Sequence, residues 1–371
     1  MIPFLDLKAQ YRAIGPELED AVLSVLRSCS YILGEPVERF EVNFARYCGT
    51  SAAVAVNTGT SALHMALLAA GIGPGDEVIT TPTTFVATTA AIRYTGATPV
   101  FVDIDPVTWC IDPALIPDAI TDRTRAILPV HLHGRLADIA AILKIARDYD
   151  LLVIEDAAQA HGAERDGLRA GAFGDIGCFS FYPGKNLGAC GEGGAVVTSN
   201  PVFADTLRCL RDWGQQGRHN HVMDGYNTRM DALQGAVLDV KLRHLEDWTD
   251  RRRAVANAYH AGLSPQIMRA AGPFGPDHVG HVYAIRNANP AGLSARLNAA
   301  GVPTNTHYPV PVHLQPAHSD LGYARGSLPV AEAYADSTLS LPIHPDMAPA
   351  DIDFVIDTVN RLALAPSRLT A

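Results

Sequence analysis

Residues 175–198 read DIGCFSFYPGKNLGACGEGGAVVT. An apolar run at 178–182 enters Pro183-Gly184-Lys185, a glycine-rich loop follows at 188–194, and a second apolar run closes the segment at 195–198. The pattern predicts two short strands with a lysine held at the end of the first. Close backbone approach on both sides would strip water from that amine, leaving part of it neutral and able to form a Schiff base. A solvated lysine beside a turn is the alternative that local sequence leaves open.

Upstream, residues 151–163 read LLVIEDAAQAHGA. A short apolar strand delivers Asp156 at its carboxyl end. A carboxylate there can pair with a protonated pyridine nitrogen and keep the ring an electron sink; it serves equally as a helix N-cap. Gln159 and His161 are close enough to reach the same ligand. At 57–63, NTGTSAL marks a strand-to-helix junction, where free N–H groups and the hydroxyls of Thr60 and Ser61 can cup a phosphate or simply cap a helix. At 81–88, TPTTFVAT places Phe85 after another strand, to stack on a flat ring or to join the core. An amine, a ring carboxylate, a phosphate cup and a stacking ring are the set that pyridoxal 5′-phosphate (PLP) requires.

These pieces sit in an alternation of strands (52–56, 77–80, 98–102, 126–131, 151–154) and helices (61–70, 85–94, 139–148). The expected fold class is α/β, a mostly parallel sheet flanked by helices, with ligands beyond the carboxyl ends of the strands. From residue 230, Leu233, Val237, Val240, Leu245, Trp248, Val255 and Tyr259 recur at helical spacing over about thirty residues without a proline. That predicts one long helix bridging two domains. The boundary is placed near 250, giving a large PLP-binding domain at 1–250 and a smaller C-terminal α/β domain at 251–371.

Composition narrows the function classes. The 371 residues are 48% hydrophobic and carry a net charge of −10, so the chain is globular and poorly suited to bind nucleic acid or an anionic membrane. No apolar stretch is long enough for a membrane span. The N-terminus reaches Asp6 without a signal-like core, so a soluble cytoplasmic protein is expected. The six cysteines form no CxxC pair, and no metal site is expected. The basic residues are 25 arginines and only four lysines: Lys8, Lys144, Lys185 and Lys241. Lys144 and Lys241 fall in helix-like stretches beside ordinary charged neighbours. Arginine can cover a solvated surface, but it cannot replace a Schiff-base amine.

The chain resembles the DegT/StrS-type sugar-nucleotide aminotransferases, within the aspartate-aminotransferase-like PLP fold of type I. The resemblance runs over nearly the whole chain: FLDLKAQY (4–11), NTGTSAL, TPTTFVAT, LPVHLHG (128–134), EDAAQAHGA, FSFYPGKNLGACGEGG, GYNTRMDALQGA (225–236), HYPVPVHLQPA (307–317) and LSLPIHP (339–345). It implies that Lys185 carries the cofactor and shuttles protons. Asp156 would meet the ring nitrogen, Gln159 the ring oxygen and Phe85 the ring face. Gly59, Thr60 and Ser180 would hold the phosphate. Asn227 would reach the cofactor of a second subunit, making a homodimer with shared sites. Tyr182, Arg229, His307 and Tyr308 would meet the sugar. The implied reaction moves an amine from L-glutamate to a nucleotide-linked keto sugar, C3 of a dTDP-3-keto-6-deoxyhexose being favoured.

C4 amination is the near alternative, and Gln159 speaks for C3, since C4-aminating members more often carry His at that place. A sugar 3-dehydratase would carry His in place of Lys185. A non-catalytic PLP-fold regulatory protein is opposed by the intact Lys185, Asp156 and Ser180. An aminotransferase acting only on amino acids is disfavoured by the HYPVPVHLQ segment. Three positions depart from the usual pattern: His133, Gly235 and Gly280. Arg208, Arg211, Arg218 and Arg229 would either meet a diphosphate or form a solvated face.

Overall fold

The computed structural model describes residues 2–364. Strands β1 (Ala52–Val56), β2 (Glu77–Thr80), β3 (Thr98–Phe101), β4 (Thr124–Ile127) and β5 (Leu152–Asp156) come first. A small hairpin follows, β6 (Glu164–Arg165) and β7 (Leu168–Arg169), and then β8 (Ile176–Ser180) and β9 (Gly194–Thr198). Apart from the hairpin they form one sheet in the order β1-β9-β8-β5-β4-β2-β3. Only β9 runs against its neighbours. With one reversed strand, β1, β2, β5 and β8 all point their carboxyl ends to the same edge, where Gly59, Thr60, Phe85, Asp156, Gln159, Ser180, Tyr182 and Lys185 lie at or just after those ends, whereas Asn227, Arg229, His307 and Tyr308 come from later segments.

Strand alternation sends side chains to two buried faces. In β1, Val54 and Val56 join an apolar cluster with Leu63 and Leu67 of α3 (Gly59–Ala69), whereas Ala53 and Ala55 join the opposite cluster. That opposite cluster holds Phe40 and Phe44, which lie on a helix at Glu35–Cys48, together with Phe179 and Phe181. The expected strand at 126–131 stops at Ile127 because Pro129 has no N–H to continue the ladder.

The single long helix expected from residue 230 is two helices, Ala232–Leu242 and Leu245–Gly262. At the join, the Arg243 and His244 N–H groups donate to carbonyls three residues back (3.2 and 3.0 Å), a tighter turn that redirects the chain. Apolar periodicity continues through such a turn and cannot reveal it. A division near residue 250, proposed from the sequence, falls inside the second of these helices. Leu245 packs with the sheet, whereas Val255 and Tyr259 pack in a C-terminal core with Tyr283, Leu293 and Val355. Residues of the 312–334 segment, Val312 and Tyr334 among them, return to the sheet cluster around Ile79 and Phe101.

Two details revise the sequence reading. Lys241 is 4% exposed and donates from Nζ to the Gly188 carbonyl at 2.7 Å, so it anchors the glycine-rich loop instead of facing solvent. Gly235 is a packing requirement: a Cβ there would lie 2.9 Å from the Val37 Cα across the helix contact. Alanine normally favours a helix by up to about 1 kcal/mol over glycine. Here Gly235→Ala is expected to lower stability by about 1–3 kcal/mol, because backbone must move. Urea unfolding checks this; a variant as stable as the parent would contradict the contact.

Candidate active site

Asp156 ends β5 and is 5% exposed. Its Oδ2 accepts the Thr88 hydroxyl at 2.7 Å, and Thr88 is held in turn by Thr84 at 2.7 Å. Its Oδ1 accepts the Ala158 N–H at 3.2 Å. Burial raises the carboxyl's pKa, and the Thr88 hydrogen bond and the Lys185 charge oppose that rise. Glu155 points to the other side of the strand. It accepts the N–H groups of Gly171, Phe173 and Gly174, and it meets His131 Nε2 at 2.8 Å. His131 Nδ1 accepts the Ala137 N–H, which leaves its proton on Nε2 for Glu155. One carboxylate is thus spent on structure, while the next faces the cavity.

Lys185 follows the end of β8, its N–H tied to the Tyr182 carbonyl at 2.8 Å. Its side chain keeps some opening to the cleft but is otherwise enclosed, and burial lowers the amine to about 8 while Asp156 pulls it back up. Nearby histidines lose protons for the same reason: burial, reinforced by the Lys185 charge, lowers His307 to about 4 and His161 to about 3.

At the start of α3, Thr58 accepts the Ser61 N–H at 3.0 Å and caps the helix. Gly59 and Thr60 remain among the orphan donors of the first turn. Gly59 has to be glycine, because a Cβ would lie 2.5 Å from the Ser180 Cβ. The helix end and the Ser180 hydroxyl are thereby brought together as an anion cradle. Ser61 does not join it; its hydroxyl faces Thr58 at 3.0 Å. Phe85 is 54% exposed, with its ring 5.8 Å from that of Tyr308. Gln159 accepts the His133 N–H at 2.7 Å and donates to the Tyr308 hydroxyl at 3.2 Å. His133, the residue that replaces a more usual tyrosine, also meets the His307 carbonyl at 3.3 Å.

One cavity of about 720 Å³ gathers most of the candidate ligand groups. It takes in Gly59, Thr60, Phe85, Asp156, Gln159, Ser180, Tyr182, Lys185, His307 and Tyr308. Asn227 and Arg229 are outside the lining of their own chain: Arg229 grips Asp212 at 3.0 Å and Asn227 at 2.9 Å. His161 is enclosed between Phe179 and Phe181 and is a core residue. Of the other arginines, Arg211 is buried against Glu41 and the Ala55 carbonyl, and Arg208 pairs with Asp205. Neither borders the cavity.

Sequence reasoning missed Phe4, Leu5, Glu192, Arg252, His281 and Asn305 in the lining. Arg252 carried a signal, since it occupies the apolar stripe of Trp248, Val255 and Tyr259. A buried carboxylate, an amine near neutrality, a cradle that only glycine permits and an open aromatic ring fit PLP. Asp156 would meet the ring nitrogen and Gly59, Thr60 and Ser180 the phosphate.

Comparison with known proteins gives the same direction. The profile of the DegT/DnrJ/EryC1/StrS aminotransferase family matches residues 12–360. A dTDP-3-amino-3,4,6-trideoxy-alpha-D-glucose transaminase of Streptomyces venezuelae is 47% identical, over 98% of this chain and 96% of its own. The erythromycin biosynthesis sensory transduction protein EryC1 of Saccharopolyspora erythraea is 47% identical, over 96% of this chain and 98% of its own. The crystal structure of S. venezuelae DesV with a ketimine intermediate superposes with a TM-score of 0.95 at 46% identity, covering 98% of each chain.

The depressed amine gives a pH prediction. In cofactor-free protein, Lys185 should be half deprotonated near pH 8, so the rate at which an amine reagent labels it should inflect there. Asp156 stabilises the ammonium form, so Asp156→Asn should move the inflection to lower pH. Peptide mapping against pH reads both. An inflection at the ordinary lysine value, or one that Asp156→Asn leaves in place, would contradict the coupling.

Proposed function

The chain belongs to the DegT/DnrJ/EryC1/StrS aminotransferase family, and from that premise we propose that it moves the amino group of L-glutamate to C3 of a dTDP-linked 3-keto-6-deoxyhexose. The coarser statement holds without the proposal: this is a PLP-dependent sugar-nucleotide aminotransferase. Position 3 and the dTDP group are taken from the name of the S. venezuelae relative, at 47% identity over nearly the full chain. The observation that carries the reading is Lys185 and Asp156 facing one cavity at the carboxyl edge of one sheet. A purely regulatory role, which the name of the EryC1 relative raises, would leave the enclosure of that amine and that carboxylate without use.

When bound, PLP supplies an electron sink for the carbon from which a proton is removed. The protein supplies the rest. Lys185 Nζ, with its pKa lowered to about 8, accepts the proton as a neutral amine and returns it as an ammonium group. Asp156, oriented by Thr88 and Ala158, would hold the ring nitrogen and keep it protonated. The His133–Gln159–Tyr308 chain fixes the tyrosine hydroxyl at the wall.

The sites are proposed to be shared in a homodimer, with Asn227 and Arg229 serving the neighbouring subunit's cavity. Asn227 is exposed and lies outside the cavity of its own chain, which supports that arrangement.

Two measurements test these points. L-glutamate with the dTDP-3-keto sugar should give a 3-amino product by NMR, and Lys185→Ala should reduce turnover by at least about 100-fold. Amination of the 4-keto sugar alone would overturn the regiochemistry. Mixing Lys185→Ala with Asn227→Ala should restore turnover above either variant alone. A monomer in solution, or no complementation, would refute shared sites.

A further inference from the structure

Among the described residues, the cavity wall contains a single guanidinium, that of Arg252. Lys185 is committed to the cofactor, and the phosphate cradle lies at the start of α3, so Arg252 is the one fixed cation of this wall without an assignment. It stands on the helix Leu245–Gly262 and is 4% exposed. Nη1 donates to the Ile343 carbonyl at 3.0 Å and the Gly280 carbonyl at 3.5 Å. The remaining guanidinium N–H groups bond no acceptor among the described residues, and none of its nitrogens is a sealed, unpartnered atom. They therefore keep the small open surface that the residue has.

No carboxylate of the described residues pairs with Arg252. Asp346 is the acid whose charge it feels, and that group lies 3.8 Å from Arg251. Burial lowers Arg252 only to about 10, so it stays cationic at neutral pH. A buried cation held by neutral carbonyls alone is costly, and an anionic ligand relieves that cost. Arg252 and Lys185 also both border a second, water-sized cavity of about 10 Å³, which Asp6 and Asp346 line as well.

We infer that Arg252 binds a carboxylate of the amino-acid donor. Depth decides between the anions that enter this site. A nucleotide sugar keeps its bulky diphosphate and base toward the cavity mouth, whereas a small amino acid can bring a carboxylate to a residue this enclosed. The planar guanidinium fork matches a carboxylate in two parallel hydrogen bonds. The inference rests on the proposed use of an amino-acid donor.

The test uses PLP-loaded enzyme and the variants Arg252→Gln and Arg252→Lys. Titration with L-glutamate alone, followed by cofactor absorbance, reads donor binding without any sugar. Steady-state KM values then compare the two substrates. Arg252→Gln should raise the apparent Kd and KM for L-glutamate at least about tenfold and leave the sugar KM within about twofold. Arg252→Lys, which keeps the charge but loses the fork, should fall between parent and Gln. Unchanged glutamate binding, or an equal rise for both substrates, would overturn the inference and leave Arg252 a support for Gly280 and Ile343. Should Arg252→Gln melt too low to assay, Arg252→Lys decides by the same comparison. A parent enzyme that converts L-glutamate but no dTDP sugar would refute the proposed acceptor and leave the Arg252 result readable.

Discussion

Two opposite charges, Asp156 and Lys185, are kept out of bulk water at the same edge of one sheet, and the surrounding structure serves that placement. Burial alone disfavours both ions: it raises the carboxyl and lowers the amine. Each also stabilises the charge of the other, which opposes part of that shift. The strand directions bring the two groups together. β5 and β8 are parallel neighbours, pairing Asp156 with Cys178 two residues before the end of β8. The side chain next to Asp156 on β5 then turns away, and Glu155 spends its charge on three backbone N–H groups and His131. A misplaced register of one residue would exchange the structural carboxylate for the ligand carboxylate.

Much of this was legible in the sequence because the period of two and the strand-to-helix punctuation are local. The apolar runs ending at Asp156 and near Lys185, and the glycine at 59, each announce a strand end, and the parallel topology brings such ends to one edge. What remained hidden depended on partners distant in the chain. His161 reads as a ligand beside Asp156 and Gln159, yet Phe179 and Phe181 enclose it. Lys241 reads as an exposed helical lysine, yet the Gly188 carbonyl from the glycine-rich loop takes its amine. The break at Arg243–His244 preserves the apolar spacing, so periodicity cannot expose it.

The scarcity of lysine gains meaning from this contrast. With arginine supplying most of the basic groups, the two lysines that are withdrawn from solvent meet at the same loop. One presents its amine to the cavity and the other fastens the loop that follows it. The cavity also draws on the far end of the sequence. Phe4 and Leu5 line it, while Ile2 is buried in the C-terminal core. A site assembled from residues 4 to 343 is inaccessible to any reading of motifs one at a time.

The central claim is that Lys185, alone of the four lysines, carries the cofactor. Borohydride reduction of the holoenzyme followed by peptide mapping tests it most directly. The account predicts that the reduced cofactor is fixed to the peptide containing Lys185 and to no other. Label on a peptide with Lys8, Lys144 or Lys241, or no fixed label in protein that has bound PLP, would contradict it.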